Sequence, residues 1–303
     1  MRYIIMSRRT IFLFAAAVVM LYFSIILFML SPLHGTKSAY YGNNYMNHFG
    51  FRQIPSVNWC HELRWQSPPS PHVVALASYP GSGNTWFRYL LQQATVIILG
   101  IVTGSVYMDY GLRVHGFPAE NVTDGSVLVV KTHEAPPAHS DKFKSAILLI
   151  RNPRDAILAD FNRLHKGHIG TAPKSAFKRI SHDKKTEWWW HVRREVVSWE
   201  ALHRAWLAGF RGALLVLRYE QLAEDPGPPL QAALAFLNRT VPQESLECAL
   251  ANKEGIYRRR NKHQNFDPFT PQMYELLDAA QARVAGLVAR RTRDVTTRPP
   301  TRA

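Results

Sequence analysis

Three short segments carry the residue types that handle anions and protons. Ser78-Tyr79-Pro80-Gly81-Ser82-Gly83-Asn84-Thr85 has the glycine spacing of a phosphate-binding loop, in which backbone N–H groups approach an anion at a helix N-terminus. Asn84 stands where an ATP- or GTP-hydrolysing loop holds its Lys, so the main cation of that chemistry is missing. A purely structural turn fits the same two glycines. Arg151-Asn152-Pro153-Arg154-Asp155 supplies fixed guanidinium groups, the planar forks that match phosphate oxygens. Between the two lies Val129-Val130-Lys131-Thr132-His133, a cation beside an imidazole that titrates near neutrality. Two anion segments flanking a Lys–His pair point to group transfer from a ligand with two separate phosphates.

These segments must be held on one edge of a scaffold. Short apolar runs at 73–77, 127–130, 146–150 and 214–217 are too short for buried helices and alternate with helical stretches at 155–164, 188–208 and 229–237. Continuous apolar strands alternating with helices predict an α/β three-layer sandwich with a central parallel sheet, its functional loops at the carboxyl ends of the strands. Trp188, Val192, Glu195, Trp199 and Trp206 recur at near-helical spacing and read as a packing stripe, with a wall of an acceptor cleft involving Glu195 or His191 as the other reading.

The ends of the chain set its surroundings. Residues 11–30 form an apolar run of 20 with Ser24 as its one polar member, enough to cross a hydrocarbon core of about 30 Å. Arg2, Arg8 and Arg9 precede it, which predicts a cytoplasmic tail (1–10), a transmembrane signal-anchor (11–30) and a type II orientation rather than a cleaved signal peptide. Residues 31–71 read as a lumenal stem ending in a proline-rich linker, 72–289 as the catalytic domain, and 290–303 as a disordered basic tail. Sequons at Asn121 and Asn238 suit a lumenal chain. Cys60 and Cys248 are the only cysteines and have no CxxC spacing, which excludes a thiolate metal site. In an oxidising lumen the two are expected to pair, two separately buried thiols being the alternative. The formal charge of +15, from 37 Lys and Arg against 22 Asp and Glu, favours polyanionic partners.

Together the three motifs resemble the sulfotransferases that use 3′-phosphoadenosine 5′-phosphosulfate (PAPS). Tyr79-Pro80 through Thr85-Trp86 is similar to that family's 5′-phosphosulfate loop, Arg151-Asn152-Pro153 with Asp155 to its 3′-phosphate motif, and Lys131-Thr132-His133 to its catalytic strand end. Leu217-Arg218-Tyr219-Glu220 with Asp225-Pro226 looks like a fourth family segment. Phe161-Asn162-Arg163, the tryptophans at 188–190 and Asp267-Pro268-Phe269-Thr270 resemble the WSC-domain-containing (WSCD) sulfotransferases in particular. Residues 31–71 contain one cysteine, so the cysteine-rich WSC modules themselves are not expected there.

The resemblance implies a Golgi membrane protein that sulfates a hydroxyl of a glycan or glycoprotein, sialic acid among the candidates, with PAPS as co-substrate and no metal. It makes His133 the general base, with Glu134 as the fallback, and Lys131 the contact to the sulfuryl group. Ser82, Gly83, Asn84 and Thr85 would hold the 5′-phosphate and Arg151 the 3′-phosphate. Trp86 would stack on adenine or else fill the core, and Arg258 and Arg259 would either cover the 3′-phosphate or form an exposed basic loop. Gly81 and Ala159 stand where the wider family carries a Lys and a Ser, a pair of changes that the WSCD pattern shares. Two other classes fit parts of the sequence: a P-loop nucleotide kinase or NTPase, and a non-catalytic, membrane-tethered binder of polyanions.

Overall fold

The computed structural model describes residues 20, 57–60, 62–95, 101–137, 142–168, 170–181, 183–257 and 266–297. All of these but Met20 belong to one unit spanning His48–Ala303. The apolar run at 11–30 (Met20 apart) and the basic pair Arg258 and Arg259 lie outside the described residues. Among the described residues no helix is long and apolar enough to cross a membrane.

Five strands, β1 (Val74–Ser78), β2 (Gly104–Ser105), β3 (Val130–Thr132), β4 (Ser145–Ile150) and β5 (Ala213–Arg218), form a sheet in the order β2-β3-β1-β4-β5. Every pairing is parallel. Parallel strands need covering on both faces, and the alternation along them shows it. Ala75, Ala77, Ala146 and Leu148 point into one apolar cluster, Leu76, Ile147 and Leu149 into the other. The first face carries α3 (Pro153–Lys166), α4 (Glu187–Arg204) and α8 (Pro271–Thr297). The second carries α1 (Asn84–Ala94), α5 (Tyr219–Glu224), α6 (Gly227–Phe236) and α7 (Gln243–Ala251), and the short α2 (Tyr110–Val114) adds Leu112 there. The sheet order puts β3 and β4 on opposite sides of β1, so the ends of these three strands are adjacent at a topological switch point.

Three sequence expectations change. The chain joins the domain well before His72: Trp59 and Val57 pack on one core cluster and Leu63 on the other, Gln66 N–H donates to Ser126 O at 2.9 Å, and Ser70 N–H to Gly125 O at 2.8 Å. Proline-rich composition hid this, because main-chain bonds to a distant loop leave no periodic signal. At the other end, α8 continues through Thr297 instead of giving way to a disordered tail at 290. Its inner face, Met273, Leu277, Ala280 and Val284, is buried, Arg283 forks onto Glu200 at 2.8 and 2.9 Å, and Arg291 donates to Gly212 O at 3.0 Å. Arg291, one of the arginines that made the segment look like a solvated tail, thus helps hold the helix down. Finally, the two-residue β2 was absent from the sequence reading, being too short to show a pattern.

Cys60 and Cys248 are joined in a disulfide, Cα to Cα 6.1 Å, which ties the segment before β1 to α7.

Candidate active site

The loop after β1 is shaped by what packs on its outside. Gly81 and Gly83 have φ of 78° and 89°, in the left-handed region that glycine enters freely. A Cβ at Gly81 would lie 2.3 Å from the Ala156 carbonyl oxygen on α3, and one at Gly83 would lie 2.5 Å from the Tyr219 ring. Asn84, where a nucleotidase would need its Lys, is buried and braces the loop, its Nδ2 donating to Leu76 O at 3.0 Å and Ser78 Oγ at 3.1 Å. The loop feeds α1, which has no capping side chain and no acidic residue in its first turn. Ser82 Oγ is buried and has no hydrogen-bond partner among the described residues. An uncapped helix start beside an unsatisfied hydroxyl fits a bound phosphate or sulfate group.

Arg151 follows β4 and reaches back to this loop. Its Nη1 donates to Gly81 O at 2.8 Å, its guanidinium stacks on the Tyr219 ring at 4.1 Å, and its Nε is buried with no partner among the described residues. Tyr219 is therefore clasped between Gly83 and Arg151, while Glu220 accepts from Asn152 N–H at 2.8 Å. The segment Arg218-Tyr219-Glu220 thus locks the two anion segments together. Arg154 turns the other way, paired with Asp278 and stacked on Tyr274. Thr85 lies in the first turn of α1, and Trp86 fills the core: it is 3% exposed, its N–H donates to Lys253 O at 2.7 Å, and it meets Tyr219 edge-on.

The Lys–His pair ends β3. His133 Nδ1 lies 2.8 Å from the Ser78 carbonyl oxygen, which can only accept, so Nδ1 carries the proton and Nε2 is the acceptor. His133 N–H donates to Tyr107 Oη at 3.0 Å, and the two rings stack at 5.6 Å with 22° between planes. Burial, with Lys131 nearby, holds the imidazole well below its usual range, so it is neutral at physiological pH. Lys131 is 6% exposed, its Nζ 5.9 Å from the Tyr107 ring centre. Burial brings its ammonium down to about 8, opposed by Glu120, which forms a fully buried pair with Arg88 at 2.7 Å. The exposed Glu134 is fixed through its backbone, N–H to Thr132 Oγ1 and carbonyl to the Trp206 indole at 2.9 Å.

The tryptophan stripe is a packing stripe that also holds the site. Trp199 donates to Arg151 O at 3.2 Å, Trp206 to Glu134 O and Trp188 to Pro268 O at 2.8 Å. Glu195 accepts the Tyr79 hydroxyl at 2.8 Å, which, after burial, raises that phenol's pKa. Sequence reasoning missed Tyr107, Asp109 and His168. They sit in stretches without periodicity, and only the fold brings them to His133. Asn121 and Asn238 are both exposed, in left-handed conformation at φ 66° and 52°. Among the described residues no group of His, Cys, Asp and Glu could hold a metal ion.

Comparison with known proteins places this geometry. Residues 71–268 match the family model for the sulfotransferase domain. A WSCD family member of Aedes aegypti is 42% identical over 260 residues, 78% of this chain and 80% of that protein. Another from Drosophila pseudoobscura is 46% identical over 222 residues, 73% of this chain and 68% of that protein. Among solved structures, mouse sulfotransferase SULT7A1 complexed with PAP aligns at TM-score 0.47 and 17% identity over 70% of this chain and 83% of the other. With a matched domain that contains all three motifs, and with relatives this similar over most of their length, the chain belongs to the sulfotransferase-domain proteins, in the WSCD family.

Proposed function

We propose that the chain transfers a sulfuryl group from PAPS to a hydroxyl of a lumenal glycan or glycoprotein, with His133 as general base. The observation that carries this reading is the hydrogen bond from His133 Nδ1 to Ser78 O, which leaves Nε2 as a neutral acceptor for a hydroxyl proton. PAPS supplies the activated sulfuryl group on a 3′,5′-diphosphate leaving group. Ser82, the N–H groups of Gly83, Asn84 and Thr85, and Arg151 are the residues that would hold its anionic ends. Lys131, kept charged below about pH 8, lends positive charge where negative charge builds during transfer. Tyr107 keeps the base in place. No metal is needed for any of these roles.

The reading extends to the compartment. Residues 11–30 are the single-pass anchor of a type II Golgi membrane protein, and the domain is lumenal. The disulfide between Cys60 and Cys248 and the exposed sequons at Asn121 and Asn238 support an oxidising, glycosylating environment. Sialic acid is the acceptor to try first.

The test is incubation of the detergent-solubilised full chain with radiolabelled PAPS, a serum glycoprotein fraction and a chelator. Label should enter glycoprotein, leave with enzymatic removal of glycans, and disappear with His133→Ala. Tight PAP binding without transfer to any acceptor would sink the catalytic reading.

A further inference from the structure

Two chain segments meet beside His133, one carrying Tyr107 and the other ending in His168, which has no part in the scheme above. The first follows β2 and carries Tyr107, whose ring stacks on His133 and whose hydroxyl oxygen accepts the His133 N–H. Two residues on, Asp109 divides its carboxylate: Oδ1 accepts from Leu112 N–H at 3.0 Å, and Oδ2 meets His168 Nε2 at 2.7 Å. The second segment is the end of α3, where Gly167 at φ 71° reverses the chain and delivers His168 to that contact. Both side chains of the pair are largely buried, 21% and 17% exposed.

We propose that His168 is a positioning residue for the general base, acting through Asp109 on the Tyr107 segment that fixes the plane of the His133 ring. The inference rests on His133 being the base. A base acts only when its lone pair points at the proton, and the His133 ring is held at Nδ1 by Ser78 alone (O at 2.8 Å, Oγ at 3.4 Å), a pivot about which the plane is set by the stacking partner. Tyr107 is held in turn at both ends: its N–H donates to Ser105 Oγ at 3.0 Å, its carbonyl accepts from Asn121 N–H at 2.9 Å, and two residues later comes the Asp109 clasp. Burial alone would raise the Asp109 carboxyl, yet the hydrogen bonds from His168 and from Leu112 N–H help bring it down to about 2, while burial lowers His168 itself, so the pair in the working range is a neutral imidazole donating to a carboxylate. The charged and titratable groups facing the pair are Lys131 and His133 from the end of β3 and Arg163 from α3.

The experiment uses the full chain with His168→Ala, Asp109→Ala, the double variant, and His168→Gln, which keeps a donor for Asp109. Turnover should fall about tenfold in each alanine variant. The double should be no worse than either single, His168→Gln should recover most of the loss, and PAP affinity should stay unchanged. Isotope-labelled histidine, with His133 assigned through His133→Gln, gives an acceptor-independent reading: one fixed Nδ1–H tautomer in the wild type, exchange between tautomers in the alanine variants. An unchanged His133 signal, or loss of PAP affinity and melting temperature without loss of turnover, overturns the proposal. If His133→Ala itself keeps its turnover, the base assignment fails instead, and the tautomer measurement still decides whether the clasp orients the ring.

Discussion

The Cβ that Gly81 lacks would stand 3.2 Å from the Cβ of Ala159, and 2.3 Å from the carbonyl oxygen of Ala156 in the same helix. The two departures from the wider family are therefore one packing arrangement: α3 lies directly on the loop, and no side chain at 81 can pass it. Gly81→Ala should cost about 1–2 kcal/mol for a left-handed residue and about 1–3 kcal/mol for overpacking. Ala159→Gly should rescue little, because the nearest obstacle is backbone. Urea unfolding of the three proteins checks this, and a fully stable Gly81→Ala would contradict it.

His133→Ala should slow transfer on the order of 10²–10⁴-fold while leaving PAP binding nearly intact, since a general base acts in the transition state. Turnover at saturating PAPS is the measurement.

Activity against pH should show a long acid plateau and an alkaline decline. Burial holds His133 far below 6.5, so the base remains neutral as pH falls through that value. Lys131 loses its proton near 8, so the cation fades as pH rises through 8. Lys131→Arg, which cannot be deprotonated in this range, should move the alkaline limb upward while Lys131→Met abolishes it at low activity. An acid limb centred at 6.5 would contradict the burial of His133.

Arg151→Ala should weaken PAP binding by about 2–4 kcal/mol. Because Arg151 also holds Gly81 O, adenosine 5′-phosphosulfate, which lacks the 3′-phosphate, should lose affinity too, though less. Paired titrations separate the two contributions. Equal losses would confine Arg151 to the loop.

Replacing Cys60 or Cys248 by Ser should destabilise the chain by about 2–5 kcal/mol, since the bond closes a separation of 188 residues. Non-reducing peptide mapping should recover the two cysteine peptides as one species, and finding both alkylated would refute the bond in solution.

How much of this was legible in the sequence depends on range. The strand cores around Ala75 and Ile147 and the glycine loop are written in consecutive residues, so pattern alone located them. His133 and Lys131 were legible because a strand end orders neighbours. Tyr107, Asp109 and His168 were not, since their contacts span 26 and 59 positions and nothing local marks them. For Trp86 and Arg151 nothing in the sequence signalled the bonds to Lys253 O and Gly81 O, which depend on how the chain after α7 and the loop pack. Composition misled at both ends, where Gln66 and Ser70 among exposed prolines, and Arg291 among the terminal arginines, bond to the domain.

The position of Cys60 has a mechanical consequence. Any pull from the preceding chain that frees Val57 and Trp59 from the core stops at Cys60 and passes through sulfur into α7, which packs on α1. The segment from Glu62 to β1, whose main-chain bonds to Ser126 and Gly125 could be peeled one at a time, is shielded from that load. A load on the preceding chain would thus be borne at a covalent cleat, ahead of β1 and the loop that follows it.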